Sequence, residues 1–283
     1  MKKNVVLILS LLLSCAYAQD YYQFCSTKTP NRNIQGAISS VLGMNILSRN
    51  IIENQIERAI KKETNSKFTI KINNFFMSNI LSGEFKSISA KSKRLTSDGL
   101  YLSNIKANSI CNYNKVSFKD NNLFIDENIV LKFSAQITQD DLEKTINSEN
   151  YKKAIEKLNN DKTISKFIKI TNSNVSLKGN QLLFKYELTP KSKYKFIFGS
   201  KPIKLSFRAD LKVIDGKVKM CNFDLNENIS TYGLLLPIVN KLNPTTWDLD
   251  FDENTKGKLD FSNVKIKDEK IYLEGFVVIN KNN

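Results

Sequence analysis

The sequence predicts an α+β fold: a long N-terminal amphipathic helix wrapped by a strongly curved, mostly antiparallel β-sheet, with a second helix near 138–159. Three observations predict it. Between residues 34 and 62, Ile34, Ile38, Val41, Leu42, Met44, Leu47, Ile51, Ile52, Ile56, Ala59 and Ile60 recur in steps of three and four. That is the repeat of one helix face. From residue 68 the apolar period changes to two, as in Leu205, Phe207, Ala209, Leu211 and Val213 alternating with Lys204, Ser206, Arg208, Asp210 and Lys212. These alternating runs are long, and long strands twist and coil. A curled sheet whose dry face wraps the helix would bury both apolar surfaces.

In chain order, residues 1–18 have the composition of a secretory signal. Lys2 and Lys3 precede an apolar run, and Ala16-Tyr17-Ala18 is a small-x-small cleavage site. The run is too short to span a bilayer. Leu12-Leu13-Ser14-Cys15 has the form of a bacterial lipobox, an alternative that would leave a lipid on Cys15. Either reading places the chain in the periplasm or cell envelope. Residues 19–32 are a polar lead-in, and residues 33–283 are expected to form one domain.

In the helix at 34–62, Arg49, Asn50, Glu53, Asn54, Glu57, Arg58 and Lys61 form the polar face, and Gly43 marks a bend. Phe75, Phe76, Met77, Ile80 and Leu81 form an apolar connector ending at Gly83. Strands follow at 84–95 and 100–110, turned at Ser97-Asp98-Gly99. Residues 116–119 and 123–125 read as a hairpin. A strand with Ile129, Leu131, Phe133, Ala135 and Ile137 on one face comes next.

Thr138 and Asp141 form a capping box, with Ile137 positioned to staple onto Leu142, and open a helix running to about residue 159. The hairpin pattern recurs at 175–184 and at 264–273. Asp215-Gly216 turns another hairpin between 204–213 and 217–225.

The chain contains no histidine, which removes Ser-His-Asp and Cys-His catalysis and histidine zinc sites. No Gly-rich phosphate loop is present. The acidic pairs sit at a helix start and in turns, where capping explains them. The pattern therefore calls for no enzyme activity, no cofactor and no metal. The net charge of +15 suits an anionic partner or a lysine-coated sheet. Export argues against nucleic acid. Beyond Cys15, Cys25, Cys111 and Cys221 allow one disulfide and one spare thiol in an oxidising compartment.

Leu81-Ser82-Gly83-Glu84-Phe85, Gly99-Leu100-Tyr101-Leu102-Ser103-Asn104-Ile105 and Ile137-Thr138-Gln139-Asp140-Asp141-Leu142 occur in that order after the helix. Across about residues 33–225 this resembles the LmeA-like family of bacterial phospholipid-binding proteins. The resemblance implies an extracytoplasmic lipid binder similar to tubular lipid-binding domains, and it carries over no catalytic residue. The expected function is therefore non-catalytic binding or transfer of a phospholipid or other acyl-chain lipid, with transient contact to a membrane surface. The alternative is a non-lipid envelope scaffold or interaction protein. Leu47, Ile51, Phe133, Phe207, Leu235 and Ile238 are the candidate lipid-binding residues, chosen from the helix stripe, the dry strand faces and the apolar run at 234–239.

That run, with Lys241 and Trp247 nearby, also has the composition of a membrane-touching tip, since Trp favours the water–lipid boundary. Leu235→Asp is expected to weaken vesicle association more than it lowers the melting temperature. A buried apolar side chain is worth roughly 1.5–3 kcal/mol. Unchanged vesicle binding with a large drop in melting temperature would instead make the run a lid packed on the sheet.

Overall fold

The computed structural model describes residues 21–30, 44–75, 79, 82–97, 99–119, 122–162, 165–195, 201–225 and 257–281. Alternation sets most of what it shows. β1 (Thr69–Asn73) buries Ile70 and Ile72 and exposes Thr69, Lys71 and Asn73. The strands that follow are β2 (Glu84–Phe85), β3 (Ser87–Ser97), β4 (Leu100–Ser109), β5 (Asn114–Lys119), β6 (Asn122–Ile125) and β7 (Ile129–Thr138). After two helices come β8 (Ile168–Lys178), β9 (Gln181–Pro190), β10 (Ile203–Ile214), β11 (Lys217–Leu225), β12 (Gly257–Lys267) and β13 (Lys270–Ile279).

Every pairing among the described residues is antiparallel. A six-stranded sheet runs β1-β3-β4-β7-β13-β12, a four-stranded sheet β11-β10-β9-β8, and a three-stranded sheet β2-β5-β6. Two-residue turns set several registers. Asp215 and Gly216 sit at φ 54° and 72°, and Asp268 and Glu269 at φ 51° and 53°. Positive φ at both central residues is the turn whose twist matches the strands it joins.

The expected wrap does not form. The sheets are neither strongly curled nor closed, and the described helix α1 spans only Met44–Thr64. The expected helix before Met44 lies outside the described residues, as does most of the connector at 75–81. The physical reason lies in the partners of the dry faces. Phe184, Tyr186 and Leu188 of β9 and Leu205, Phe207 and Ala209 of β10 share one core with Ala135, Ile137, Ile271 and Leu273 of the six-stranded sheet. The sheets cover each other, so no helix is needed at the centre.

α1 instead lies against an edge. It turns Ile52, Ile56 and Ile60 toward the core and leaves Ile51 55% exposed. Two residues of its predicted solvent face reach the sheet. The Ile70 N–H donates to Glu57 Oε1 at 2.8 Å and the Ile72 N–H to Glu53 Oε1 at 2.7 Å.

The second expected helix is two. Thr138 caps α2 (Gln139–Ile146) with the reciprocal Asp141 bond, and Leu142 and Ile146 enter the core. Asn147 and Ser148 then break the run. Ser148 Oγ accepts from the Tyr151 N–H and starts α3 (Glu149–Asn160). Such local side-chain bonds compete with helix continuation.

A disulfide joins Cys25 to Cys111 and pins the segment 21–25 to the outer face of the six-stranded sheet. There Tyr21 stacks on Phe276 at 4.2 Å and its hydroxyl donates to Asp260 Oδ2 at 2.7 Å. A disulfide is compatible with an extracytoplasmic chain. Cys221 is the free thiol among the described residues. No described helix is long and apolar enough to cross a membrane.

In the six-stranded sheet the backbone comes very close at Gly275 in β13. A Cβ there would lie 2.2 Å from the Asp260 carbonyl oxygen and 2.7 Å from the Phe133 ring. Gly275→Ala is therefore expected to destabilise the fold by about 1–3 kcal/mol, the usual cost of overpacking. A lower midpoint in urea unfolding at unchanged slope checks it, and an unchanged midpoint refutes it.

Candidate functional site

The outer face of the six-stranded sheet is built by register. Residues paired across antiparallel strands share a face. One row is Thr69–Lys91–Lys106–Ser134 across β1, β3, β4 and β7. The next is Lys71–Ser89–Asn108–Lys132. Lys71, Lys91, Lys106 and Lys132 are all exposed, and none is ion-paired to a described carboxylate. Further across, on β13 and β12, these rows become Glu274 and Asn263, and Phe276 and Asp260. The lysines thus gather at the β1 end and the N-terminal segment covers the other.

A groove of about 720 Å³ opens at the basic end. Its floor is β3 and β4. There β4 places two residues, Asn104 and Ile105, opposite one residue of β7. This bulge puts Asn104 at φ 51°, a left-handed conformation that Asn tolerates. Bulges bend a strand and re-aim its side chains. The Asn104 amide donates to Gln136 Oε1 at 2.8 Å, which ties the bulge to β7.

The wall is the turn Asn65–Ser66–Lys67 that ends α1. Asn65 takes φ 50°, the left-handed residue that often closes a helix. Ser66 is buried; its hydroxyl donates to the Thr64 carbonyl at 3.1 Å and accepts from the Thr96 N–H at 3.2 Å. The buried Ser92 hydroxyl donates to the Lys67 carbonyl at 2.8 Å. The wall is therefore fixed to β3 by hydroxyls whose hydrogen-bonding capacity is spent inside the protein.

Lys67, Lys91, Lys93, Arg94 and Lys106 line the groove, with no carboxylate among the lining residues. Arg94 is already engaged. Its guanidinium lies 2.7 Å from Asp140 Oδ2 and 3.6 Å from the buried Asp141 Oδ1. The four lysines have no such partner among the described residues. Chemically the groove can hold an anion by charge and N–H donation. Nothing in it offers a nucleophile paired with a base.

Comparison with known proteins finds no matching family model, no matching curated protein and no matching solved structure. The likeness to the LmeA-like family therefore stands on its short motifs alone.

The six sequence-chosen residues fall in different places. Leu235 and Ile238 lie outside the described residues. Leu47 belongs to the first turns of α1, whereas Ile51 points to solvent farther along the same helix. Phe133 and Phe207 belong to one core. Phe133 packs 5.8 Å from Phe261, and Phe207 is 1% exposed and stacks on Phe184 at 4.7 Å. Phe207 is fully buried and Phe133 partly so. The lysine rows escaped sequence reading because each strand contributes only one or two. Their signal was the alternate spacing of Lys91 with Lys93 and the recurrence of lysine on the polar face of successive strands.

Asp140 ties the groove to α2. Its carboxyl is held below the ordinary carboxylate range, first by a hydrogen bond from Lys144, then by the charges of Lys144 and Arg94. Arg94→Gln is expected to move the Asp140 pKa back toward its ordinary value without reaching it, because Lys144 remains. Carboxyl-carbon NMR titration reads this directly, and an unmoved Asp140 would show that Arg94 does not act on it.

Proposed function

We propose that the chain is a non-catalytic envelope protein that binds phospholipid at the headgroup, laying the lysine face of its six-stranded sheet on an anionic membrane surface. The observation that carries this reading is the pair of lysine rows across β1, β3, β4 and β7, left without described carboxylate partners. The export signal and the family resemblance support a lipid as the source of the negative charge. Lysines near an anionic bilayer contribute about 1 kcal/mol each and are screened by salt.

The acyl-chain half of the expectation has lost its geometry. It required a groove between the first helix and a curled sheet, and that wrap is absent. Phe133 meets the Phe261 ring edge-to-face, and Phe207 stacks on Phe184 and Tyr186. This packed interior favours one second reading, an envelope interaction protein whose basic face meets an acidic protein partner.

Sedimentation with vesicles separates the two. Binding to phosphatidylglycerol vesicles and none to phosphatidylcholine vesicles, falling steeply with salt, is the expected result. Lys71→Gln with Lys132→Gln should weaken it roughly thirtyfold at low salt. Lys185→Gln with Lys204→Gln, on the outer face of the four-stranded sheet, should leave it unchanged. Absence of binding to anionic vesicles sinks the lipid reading and leaves the protein partner.

A further inference from the structure

We propose that the groove beside the β4 bulge is a discrete binding site for one phosphoryl group, held by Lys91 and Lys106 with Lys67 reaching in from the wall. The inference deepens the reading above and rests on it only for the source of the phosphoryl group.

Three observations converge. First, Lys91 and Lys106 are direct cross-strand partners. Like charges directly opposite each other in a sheet are destabilising, and no described carboxylate relieves this pair. Ordinary sheet surfaces interleave signs. Here the nearest cation with acidic partners is Arg94, whose Asp140 and Asp141 bonds draw it toward α2. The unrelieved charge therefore sits with the lysines, where an anion would neutralise it.

Second, the shape is fixed before any ligand arrives. The wall turn is held through Ser66 and Ser92, and the bulge is held through Asn104 and Gln136. Site elements held by their own hydrogen bonds need little ordering on binding. A diffuse lysine coat needs no such scaffold.

Third, the chemistry is selective. Lysine binds phosphate as a mobile point charge with three donors. With the Asn104 amide and Arg94 already engaged, the groove lacks the planar fork that favours carboxylates bidentately. Its volume of about 720 Å³ exceeds a bare phosphate. A phosphate ester fits the site, its phosphoryl oxygens against Lys91 and Lys106 and its organic part toward the open side. A glycerophosphate headgroup and a soluble phosphate monoester share this chemistry.

The test uses the full secreted chain with three probes: inorganic phosphate, sn-glycerol 3-phosphate and phosphatidylglycerol vesicles. Titration of glycerol phosphate should shift the backbone amides of residues 65–67, 91–94 and 104–106 together. Lys91→Gln with Lys106→Gln should weaken that binding at least tenfold. Lys185→Gln with Lys204→Gln should not change it. The groove double variant should also melt at a higher temperature than the parent at low salt without ligand, because it removes the like-charge pair. That readout keeps a folding defect from passing as loss of a site.

Glycerol phosphate binding in the groove without vesicle binding supports the site with a soluble ester as ligand, and overturns the membrane reading. Vesicle binding that the groove variant and the control variant weaken equally overturns the site and leaves the membrane reading standing. Amide shifts spread over the whole lysine face overturn it as well. A lower melting temperature in the groove variant also overturns it, because the two lysines would then be contributing to the fold.

Discussion

An open sheet leaves a row of backbone N–H and C=O groups at each edge, and the structure is arranged around meeting that demand. At the β1 edge, Glu53 and Glu57 of α1 accept from the Ile72 and Ile70 N–H groups. At the β8 edge, Asn159 of α3 accepts from the Ile170 N–H at 2.7 Å and donates to the Ile170 carbonyl at 3.0 Å. Gln139 of α2 accepts from the Leu177 N–H at 2.9 Å and donates to the Val175 carbonyl at 3.3 Å. Each helix side chain imitates the missing neighbour strand. Hydrogen bonds to charged groups contribute roughly 1.5–3 kcal/mol, so the two glutamates matter more than their place on a polar helix face suggests.

The edges in turn set the larger architecture. α2 follows β7 of the six-stranded sheet and tends the β8 edge of the four-stranded one, so it bridges the two sheets while Leu142 and Ile146 fill the space between them. α1, held along β1, must end where β1 begins. That fixes the turn at Asn65–Lys67 over β3 and creates the wall of the basic groove. The groove is a by-product of edge protection in position. In composition it is not, since edge protection asks for nothing from Lys91 and Lys106.

Local structure was legible in the sequence wherever a short-range rule decides it. Alternation placed the strands at 204–213 and 264–273. Asp215-Gly216 marked a two-residue turn, and Thr138 with Asp141 marked a helix start that the structure builds as a capping box. The break at Asn147–Ser148 was harder, because Leu142, Ile146, Ala154, Ile155 and Leu158 nearly keep a helical period across it. The assembly was not legible. β7 pairs β13 across about half the chain, and nothing local announces that partnership. Glu53 and Glu57 show why α1 lies along the β1 edge. Their spacing put them on a face read as solvent, and only the edge of β1 reveals them as ligands of backbone N–H groups. A lysine-coated sheet was expected from composition, but which lysines meet was hidden for the same reason, since Lys91 and Lys106 become neighbours only once β3 and β4 are in register.

The outer face shows how one sheet can carry two opposite surfaces. At the β13 end, Phe276, Val278 and Val130 are apolar residues on the wet side, and Tyr21, anchored through Cys25, covers them. At the β1 end the same parity of positions carries lysines that are exposed among the described residues. A sheet stabilised only by its core would gain from the reverse: apolar outer residues replaced by lysine under no strap, and lysines spread among acids. A like-charged pair at the β1 end costs stability. Local rules broken without compensation inside the chain are expected where a surface is shaped for something outside it. At the strap, the compensation is visible in the Tyr21 stack and its bond to Asp260. At Lys91 and Lys106 no carboxylate among the described residues supplies it, and a like-charged pair across two strands is relieved by negative charge.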